Sequence, residues 1–420
     1  MAIVEKAANS RCRSGSAATL RTNFQSREIM IRQAIKTVLG AARVNGRPVL
    51  LDAARVLART GYRIAGVIRE PQRLLRSIAV HPLAVASKHR ILGPIIFART
   101  KKIIRNRPLD LNIEVSNFCA ASCVFCPNSK VKRTKSEMGM DTFMRLAADY
   151  YVAGGGALGL SSMQSDVFSD KLLLRRLKHL KDGYAEPERF YIYTTTYLVG
   201  AAKYSDEDLE GVLRRIDYLQ ISLGGTDRDS YRKMYGINAF DTVRTQLLRI
   251  KRIVDENRLP IRLSLMFRTQ HPELSLGSEL VRELAGTFDV AENRNSFFSW
   301  GGIIGQSDLP EGARLSVVDN KSKRVDCAVA YASMSIGVDG TVVGCGCVDW
   351  NAKHVVGNAV TDKWTKVWKS EKAIAFREAF SRGNVPDLCK DCSLYVPVDE
   401  AFSKESMRGY QPSRGLWYLQ

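Results

Sequence analysis

Between Leu111 and about Lys321 the chain alternates short apolar runs with longer stretches of helical periodicity, which restricts the fold more than any other feature. Strand candidates are Leu111–Ser116, Ala157–Met163, Arg189–Thr196, Tyr218–Leu223, Ile261–Phe267 and Phe297–Ile304. Between them lie the helical stretches Asp141–Val152, Lys171–Leu180, Asp206–Arg214, Phe240–Asp255 and Leu276–Leu284. Strands joined through helices pair in parallel, because a parallel neighbour is reached only by a crossover. Sites in such sheets form at the carboxyl ends of the strands. Six units fall short of the eight that close a barrel. The expected class is therefore α/β, a partial (β/α)6 TIM-like barrel, with a basic helical region before it and a small Cys-rich α+β module after it. No internal repeat points to a solenoid.

The expected boundaries are 1–105 for a basic amphipathic helical preface, 106–320 for the barrel, 321–400 for the cysteine-bearing module and 401–420 for a tail. In the preface, Ile31, Ile35, Val38 and Leu39, then Leu50, Leu51, Ala54 and Leu57, recur at helical spacing with arginines between them. Gly46-Arg47-Pro48 and Glu70-Pro71 punctuate it as turns. In the C-terminal module, Met334–Val338, Asp339-Gly340 and Thr341–Gly344 read as a hairpin, and Thr361–Phe380 as a helix leading to Cys389-Lys390-Asp391-Cys392.

Residues 1–110 hold 22 Lys and Arg against 5 Asp and Glu, and the remaining 310 residues hold 41 against 38. Of the chain's formal charge of +20, +17 thus belongs to its first quarter. Such a block suits an acidic partner, whether lipid headgroups, nucleic acid or another protein, or it forms a solvated face of basic helices. The expectation is peripheral membrane contact through the preface rather than nucleic-acid binding. No run of 18 residues lacks charge, which speaks against a spanning helix. Met1–Arg32 carries Arg and Ser and few acids but no compact apolar core before a cleavage site, so a secretory signal is not expected. Eight of the nine cysteines fall in two tight groups, which suits metal binding in a reducing, cytoplasmic setting better than disulfides.

The first group, Cys119-Ala-Ala-Ser-Cys123-Val-Phe-Cys126, directly follows the first strand. Three thiolates on one loop can converge on one face of a cubane cluster, and thiolates are the expected ligands of a [4Fe–4S] centre. Three ligands for four irons leave one iron open, whereas a closed zinc site wants a fourth Cys or His nearby, and none is local. His81, His89, His179, His271 and His354 form no metal-ligand spacing.

These residues resemble the CxxxCxxC signature of the radical S-adenosylmethionine superfamily, and the resemblance extends over about Leu111 to Cys392. It implies that the open iron binds the amino and carboxylate groups of S-adenosylmethionine, and that reduction yields a 5′-deoxyadenosyl radical. By the same resemblance Phe125 packs near the adenine, and Gln164 or Asp166 takes the place of the Gly-Gly-Glu-like turn that holds the amino group. Gly154-Gly155-Gly156 stands before its strand, where the family's turn stands after it. Ser222 matches a ribose-contacting position, and Arg268 is placed to pair with the carboxylate of the bound amino acid. Gly301-Gly302-Ile303-Ile304-Gly305 resembles the adenine-side GxIxG stretch. Trp300 either lines the substrate pocket or packs in the core.

The second group is Cys327, Cys345, Cys389 and Cys392, four thiolates that can close a [4Fe–4S] cluster or hold a structural zinc. The order of Cys, hairpin, Gly-x4-Cys and C-x-x-C resembles the SPASM/twitch extension of radical enzymes. No cysteine follows Cys392, so the resemblance is to the twitch form with one auxiliary cluster. Cys347 is an extra thiol, either an alternative ligand or a buried apolar group, and Cys12 is incidental.

The resemblance implies an oxidoreductase that removes hydrogen from a polyol, sugar or aminocyclitol, free or carrier-linked, with the auxiliary cluster as electron acceptor. Flavodoxin or ferredoxin would serve as electron donor. A peptide maturase, an epimerase or a dehydratase on the same architecture is the alternative. A non-catalytic metal-stapled binding protein is a reading of another class. The catalytic base is not marked by any residue pattern.

Overall fold

A computed structural model describes residues 102–131, 133–161, 165–316, 323 and 325–398, together with 43–44 and 47–48 in a separate N-terminal unit. In that unit Arg43–Val44 pairs antiparallel with Arg47–Pro48. Residues 1–42, 45–46 and 49–101 of the preface, the tail 401–420 and Gln164 lie outside the described residues.

Six strands form the barrel sheet: β1 (Asp110–Ile113), β2 (Gly156–Gly159), β3 (Phe190–Thr196), β4 (Tyr218–Leu223), β5 (Arg262–Arg268) and β6 (Phe288–Arg294). Each is parallel to the next and they lie in chain order, as crossovers of one hand require. Three further strands, β7 (Ser333–Ile336), β8 (Thr341–Val343) and β9 (Val355–Asn358), complete a nine-stranded sheet in the order β9-β8-β7-β1-β2-β3-β4-β5-β6. β7 pairs in parallel with β1, with Ser333 opposite Asp110 and Ile336 opposite Ile113. The β7–β8–β9 pairings are antiparallel.

The barrel strands alternate in an unusual sense. Leu111, Ile113, Ile192, Leu219, Ile221, Leu263 and Leu265 are buried in one core with Phe143, Leu146, Leu177, Leu247 and Ile250 of the covering helices. The other face carries Asn112, Tyr193, Thr195, Tyr218, Gln220, Ser222, Ser264 and Met266, alternate residues of four strands. Those side chains bond to one another. Tyr193 Oη lies 2.8 Å from Asp110 Oδ1 and Oδ2 and 2.9 Å from Asn112 Oδ1, with one proton to donate among them. Tyr218 Oη lies 2.6 Å from Ser264 Oγ and accepts from Gln220 Nε2 at 3.3 Å. The lumen is polar and the outside apolar.

Entry to β2 explains the glycine run. A Cβ on Gly155 would lie 2.2 Å from the Arg189 carbonyl oxygen, and one on Gly156 would lie 2.4 Å from Tyr150 Oη, while both hold φ above +60°. The run lets the chain leave the helix Met140–Val152 and enter the sheet directly, at the amino end of the strand and away from the cysteine loop.

Three sequence expectations need correction. The sixth strand is Phe288–Arg294 and not Phe297–Ile304. It is an edge strand, and its charged residues disguise it in a search for apolar runs. Of the expected segment only Phe297 pairs, in the short strand Ser296–Phe297 that runs parallel to Arg314–Leu315. The expected helix Thr361–Phe380 is two helices, Trp364–Trp368 and Glu371–Arg377, because Ser370 caps the second by accepting from Ala373 N at 3.2 Å. Leu276–Leu284 likewise divides into Pro272–Leu276 and Glu279–Leu284, capped by Ser278. The hairpin at Asp339-Gly340 forms as expected, Gly340 holding φ +82°.

Trp364 fastens the C-terminal strands to the barrel. It is fully buried, and its ring meets that of Tyr150 edge to face at 5.8 Å. Its indole N–H has no partner. Trp364→Ala is expected to cost about 3–5 kcal/mol. Trp364→Phe should cost less, since it keeps the aromatic contact and removes an unsatisfied donor. Urea unfolding followed by circular dichroism will rank the two; equal losses would mean that the aromatic contact contributes nothing.

Candidate metal centres

The first cysteine loop leaves β1 under tight control. Arg133 clamps Glu114 bidentately, Nη1 to Oε1 at 2.9 Å and Nη2 to Oε2 at 2.7 Å, with the carboxylate fully buried. Asn117 then donates to the Thr134 carbonyl and accepts from Ser136 N, both at 2.7 Å. Farther along, Ser122 N donates to the Tyr235 carbonyl at 3.0 Å and Val124 N to the Met234 carbonyl at 3.1 Å. The cysteine loop therefore lies on the end of the helix Arg228–Tyr235, an element not anticipated from the sequence. Gly236 closes that helix at φ +68°, and a Cβ there would lie 2.8 Å from the Ser122 carbonyl oxygen.

Cys119, Cys123 and Cys126 are free thiols at the carboxyl end of β1. Burial pushes the Cys119 thiol up to about 12, with the Asp166 carboxylate adding to the effect. Burial also raises Cys123 and Cys126, and the Arg268 guanidinium opposes the rise at both. Three crowded thiolates need positive charge to exist together, which an iron–sulfur core supplies.

Residues expected around this loop are drawn together by the structure. Phe125 is buried, stacked on Phe297 at 5.2 Å and edge-on to Tyr235 at 5.5 Å, with Arg268 5.4 Å over its ring. Arg268 Nε is buried without a partner, although Nη2 reaches Met266 Sδ at 3.4 Å. Ser222 is buried and hydrogen-bonded to Tyr235 Oη. Asp166 is buried too, and its carboxylate accepts from Phe168 N at 3.1 Å, Thr196 Oγ1 at 2.7 Å and Tyr197 N at 3.0 Å. Burial still dominates over these three donors and raises its pKa to about 6. It ties the ends of β2 and β3 to the loop, because its own N–H donates to the Phe118 carbonyl.

The second group lies in one buried cluster: Cys327, Cys345, Cys389 and Cys392 pack with Val348, Phe376, Phe380 and Tyr395. Burial raises all four thiols, Cys392 to about 12, and Cys389 and Cys392 each feel Cys345 and Cys327 as neighbouring charges. Cys347 hydrogen-bonds Cys345, the largest cause of that thiol's rise. Among the described residues no three His, Cys, Asp or Glu side chains converge closely enough for a single ion. Thiolates on a cubane each hold a different iron and need not converge on one point.

Sequence reasoning missed the linker between the groups. Phe297 lies on Phe125; Ser299 N donates to Ser393 Oγ at 2.9 Å and Ser299 Oγ to the Asp391 carbonyl at 2.6 Å. Trp300, at φ +51°, donates from Nε1 to the Phe125 carbonyl at 2.8 Å and meets Trp350 edge to face at 5.7 Å. Trp350 in turn donates to the Cys347 carbonyl at 2.9 Å. The packing role of Trp300 is thus the observed one. The glycines that follow it were the available signal for a forced turn. The polar lumen was also missed, though the alternation Tyr218-Leu-Gln220-Ile-Ser222-Leu signals it in a strand covered on both faces.

Residues 327–393 match the SPASM family, an iron–sulfur cluster-binding domain. The match agrees with the SPASM/twitch resemblance read from Cys327, Cys345, Cys389 and Cys392, and the C-terminal module is such a domain. No curated protein matches the sequence. Among solved structures, BtrN in complex with AdoMet and 2-DOIA is 19% identical over 68% of this chain and 92% of its own, with a TM-score of 0.45. Streptococcus suis SuiB bound to S-adenosylmethionine is 15% identical over 74% and 78%, with a TM-score of 0.48. AnSMEcpe with bound AdoMet is 11% identical over 68% and 89%, with a TM-score of 0.40.

Gly236→Ala is expected to strain the backbone by about 1–3 kcal/mol and to displace the loop at Ser122. Iron and sulfide after anaerobic reconstitution should fall from about eight to about four per chain. Full retention of iron would mean that the loop does not depend on this close approach.

Proposed function

We propose that this SPASM-bearing chain is a radical S-adenosylmethionine oxidoreductase acting on a polyol, sugar or aminocyclitol, free or carrier-linked. The observation that carries the reading is the barrel lumen beneath the first cysteine loop, lined by Asn112, Tyr193, Thr195, Gln220, Ser222 and Ser264. These are uncharged groups that both donate and accept, which matches a substrate of many hydroxyls. Thr195 Oγ1 reaches Gln220 Oε1 at 3.4 Å, so neighbouring strands present a continuous hydrogen-bonding surface.

With its cluster held by Cys119, Cys123 and Cys126, the site would supply a 5′-deoxyadenosyl radical from S-adenosylmethionine. Arg268, with a buried Nε that lacks a partner, is the group to receive a carboxylate there. Phe125 supports that guanidinium through its ring face and offers the adenine side a flat apolar wall. Ser222 serves as a ribose contact, and Gln164 or Asp166 as the amino-group contact. Three donors hold the Asp166 carboxylate fixed at the rim. The overall change is loss of one hydrogen atom, one proton and one electron from a carbinol, which gives a ketone. The C-terminal cluster of Cys327, Cys345, Cys389 and Cys392 is the electron acceptor, and flavodoxin or ferredoxin the external donor. No helix among the described residues is long and apolar enough to cross a membrane. The basic residues 1–105 are proposed as a peripheral contact with an anionic membrane surface.

The test is deuterium transfer. Reconstituted protein, dithionite and S-adenosylmethionine are combined with carbinol-deuterated cyclitols and sugars, or with deuterated peptides. Label in 5′-deoxyadenosine from a carbinol, absent in Cys123→Ala, is the expected result. Label arriving from a peptide instead would replace this reading with that of a maturase.

A further inference from the structure

Lys323 has no place in the chemistry described above. It is 6% exposed, and Nζ donates to the Cys389 carbonyl at 3.1 Å and the Lys390 carbonyl at 2.6 Å. Among the described residues no carboxylate pairs with it. Two buried carboxylates of the same module are engaged elsewhere. Asp326 accepts from Ser381 N at 2.9 Å, and Asp349 accepts from Lys353 N and His354 N, both at 2.8 Å. Lys390 turns outward to Asp387 at 2.8 Å. A buried ammonium satisfied only by backbone carbonyls keeps its desolvation cost without a counter-charge.

The counter-charge comes from the cysteines. The Lys323 ammonium is held against the backbone of the loop that carries Cys389 and Cys392. Four thiolates around a [4Fe–4S] core carry a net negative charge, and one-electron reduction makes it more negative by one unit. A fixed cation against the ligand loop stabilises the reduced form more than the oxidised form, and so raises the potential.

We propose that Lys323 sets the reduction potential of the C-terminal cluster, its buried ammonium raising that potential so that the cluster accepts an electron. The inference rests on the reading of that cluster as the acceptor, and it adds a residue outside the cysteine set as the group that tunes it. Lys323 is a positioning residue in this sense: it acts through the cluster and touches no substrate.

The experiment uses the full chain with Cys119, Cys123 and Cys126 changed to Ala, so that only the C-terminal cluster gives a signal. Iron, sulfide and zinc are counted first, and the cluster is then titrated with dithionite while its electron paramagnetic resonance signal is followed. Lys323→Met should lower the equilibrium constant for electron uptake at least tenfold, which is 59 mV for one electron. Lys323→Arg should keep most of the parent value. If Lys323→Met takes up no iron, Lys323→Gln is titrated in its place. Iron loading by Lys323→Arg with neither neutral variant loading also supports a requirement for the charge. An unmoved potential in the neutral variants, or an equal fall in Lys323→Arg, overturns the role of Lys323 while leaving the cluster in place. Zinc without iron in the parent chain overturns the acceptor reading itself.

Discussion

The ladder between Ser333–Ile336 and Asp110–Ile113 is the constraint on which the rest of the molecule depends. β1 delivers the first cysteine loop, and β7 opens the module that holds the second group, so pairing them fixes both on neighbouring strands of one sheet. Backbone hydrogen bonds between parallel strands define register strongly when both faces are buried. Leu111, Ile113, Met334 and Ile336 are all buried here. A slip of one residue would exchange the polar and apolar faces of β1, moving Asn112 out of the lumen and Leu111 into it. The C-terminal module is thus an extension of the barrel sheet rather than a separate body attached to it.

That arrangement forces burial on groups that resist it. Seven thiols in two sites, the Arg268 guanidinium, the Asp166 carboxylate and the Lys323 ammonium all sit where water is scarce, and burial raises every one of those thiols and Asp166. A chain selected for stability alone would fill such positions with apolar side chains. Their persistence in two coherent groups marks where binding energy from another species is meant to act. The polar lumen repeats the pattern: Gln220 and Ser264 each bond to Tyr218, and Tyr193 bonds to Asp110 and Asn112, all without ligand.

Much of this was legible in the chain because cysteine spacing and strand–helix alternation are local signals. Five of the six barrel strands fall where short apolar runs stand; the first cysteine group is read from its spacing and the second from the order of cysteines and hairpin in the SPASM/twitch resemblance. The misplaced sixth strand shows the limit of that method. Phe288–Arg294 has a neighbour on one side only, so its charges are tolerated, whereas Phe297–Ile304 is apolar because it is wedged between two other parts of the chain. Apolar content reports burial and not strand geometry. Lys323 was invisible for a related reason: nothing in its sequence neighbours indicates that a surface-type residue folds inward onto a loop 66 residues away.

The wedge itself carries a consequence for the relation between the two sites. From Phe297 to Trp300, successive residues contact Phe125 in the first cysteine loop, then the backbone and hydroxyl on either side of Cys392, then Phe125 again and Trp350. A shift of the first loop cannot leave the second group untouched, because side chains and a backbone turn at φ +51° on Trp300 couple them through van der Waals contact and hydrogen bonds. Packed interiors transmit displacement and do not absorb it. The segment Phe297–Trp300 therefore adds a second constraint on the geometry between the two cysteine groups, beside the ladder that joins β1 to β7.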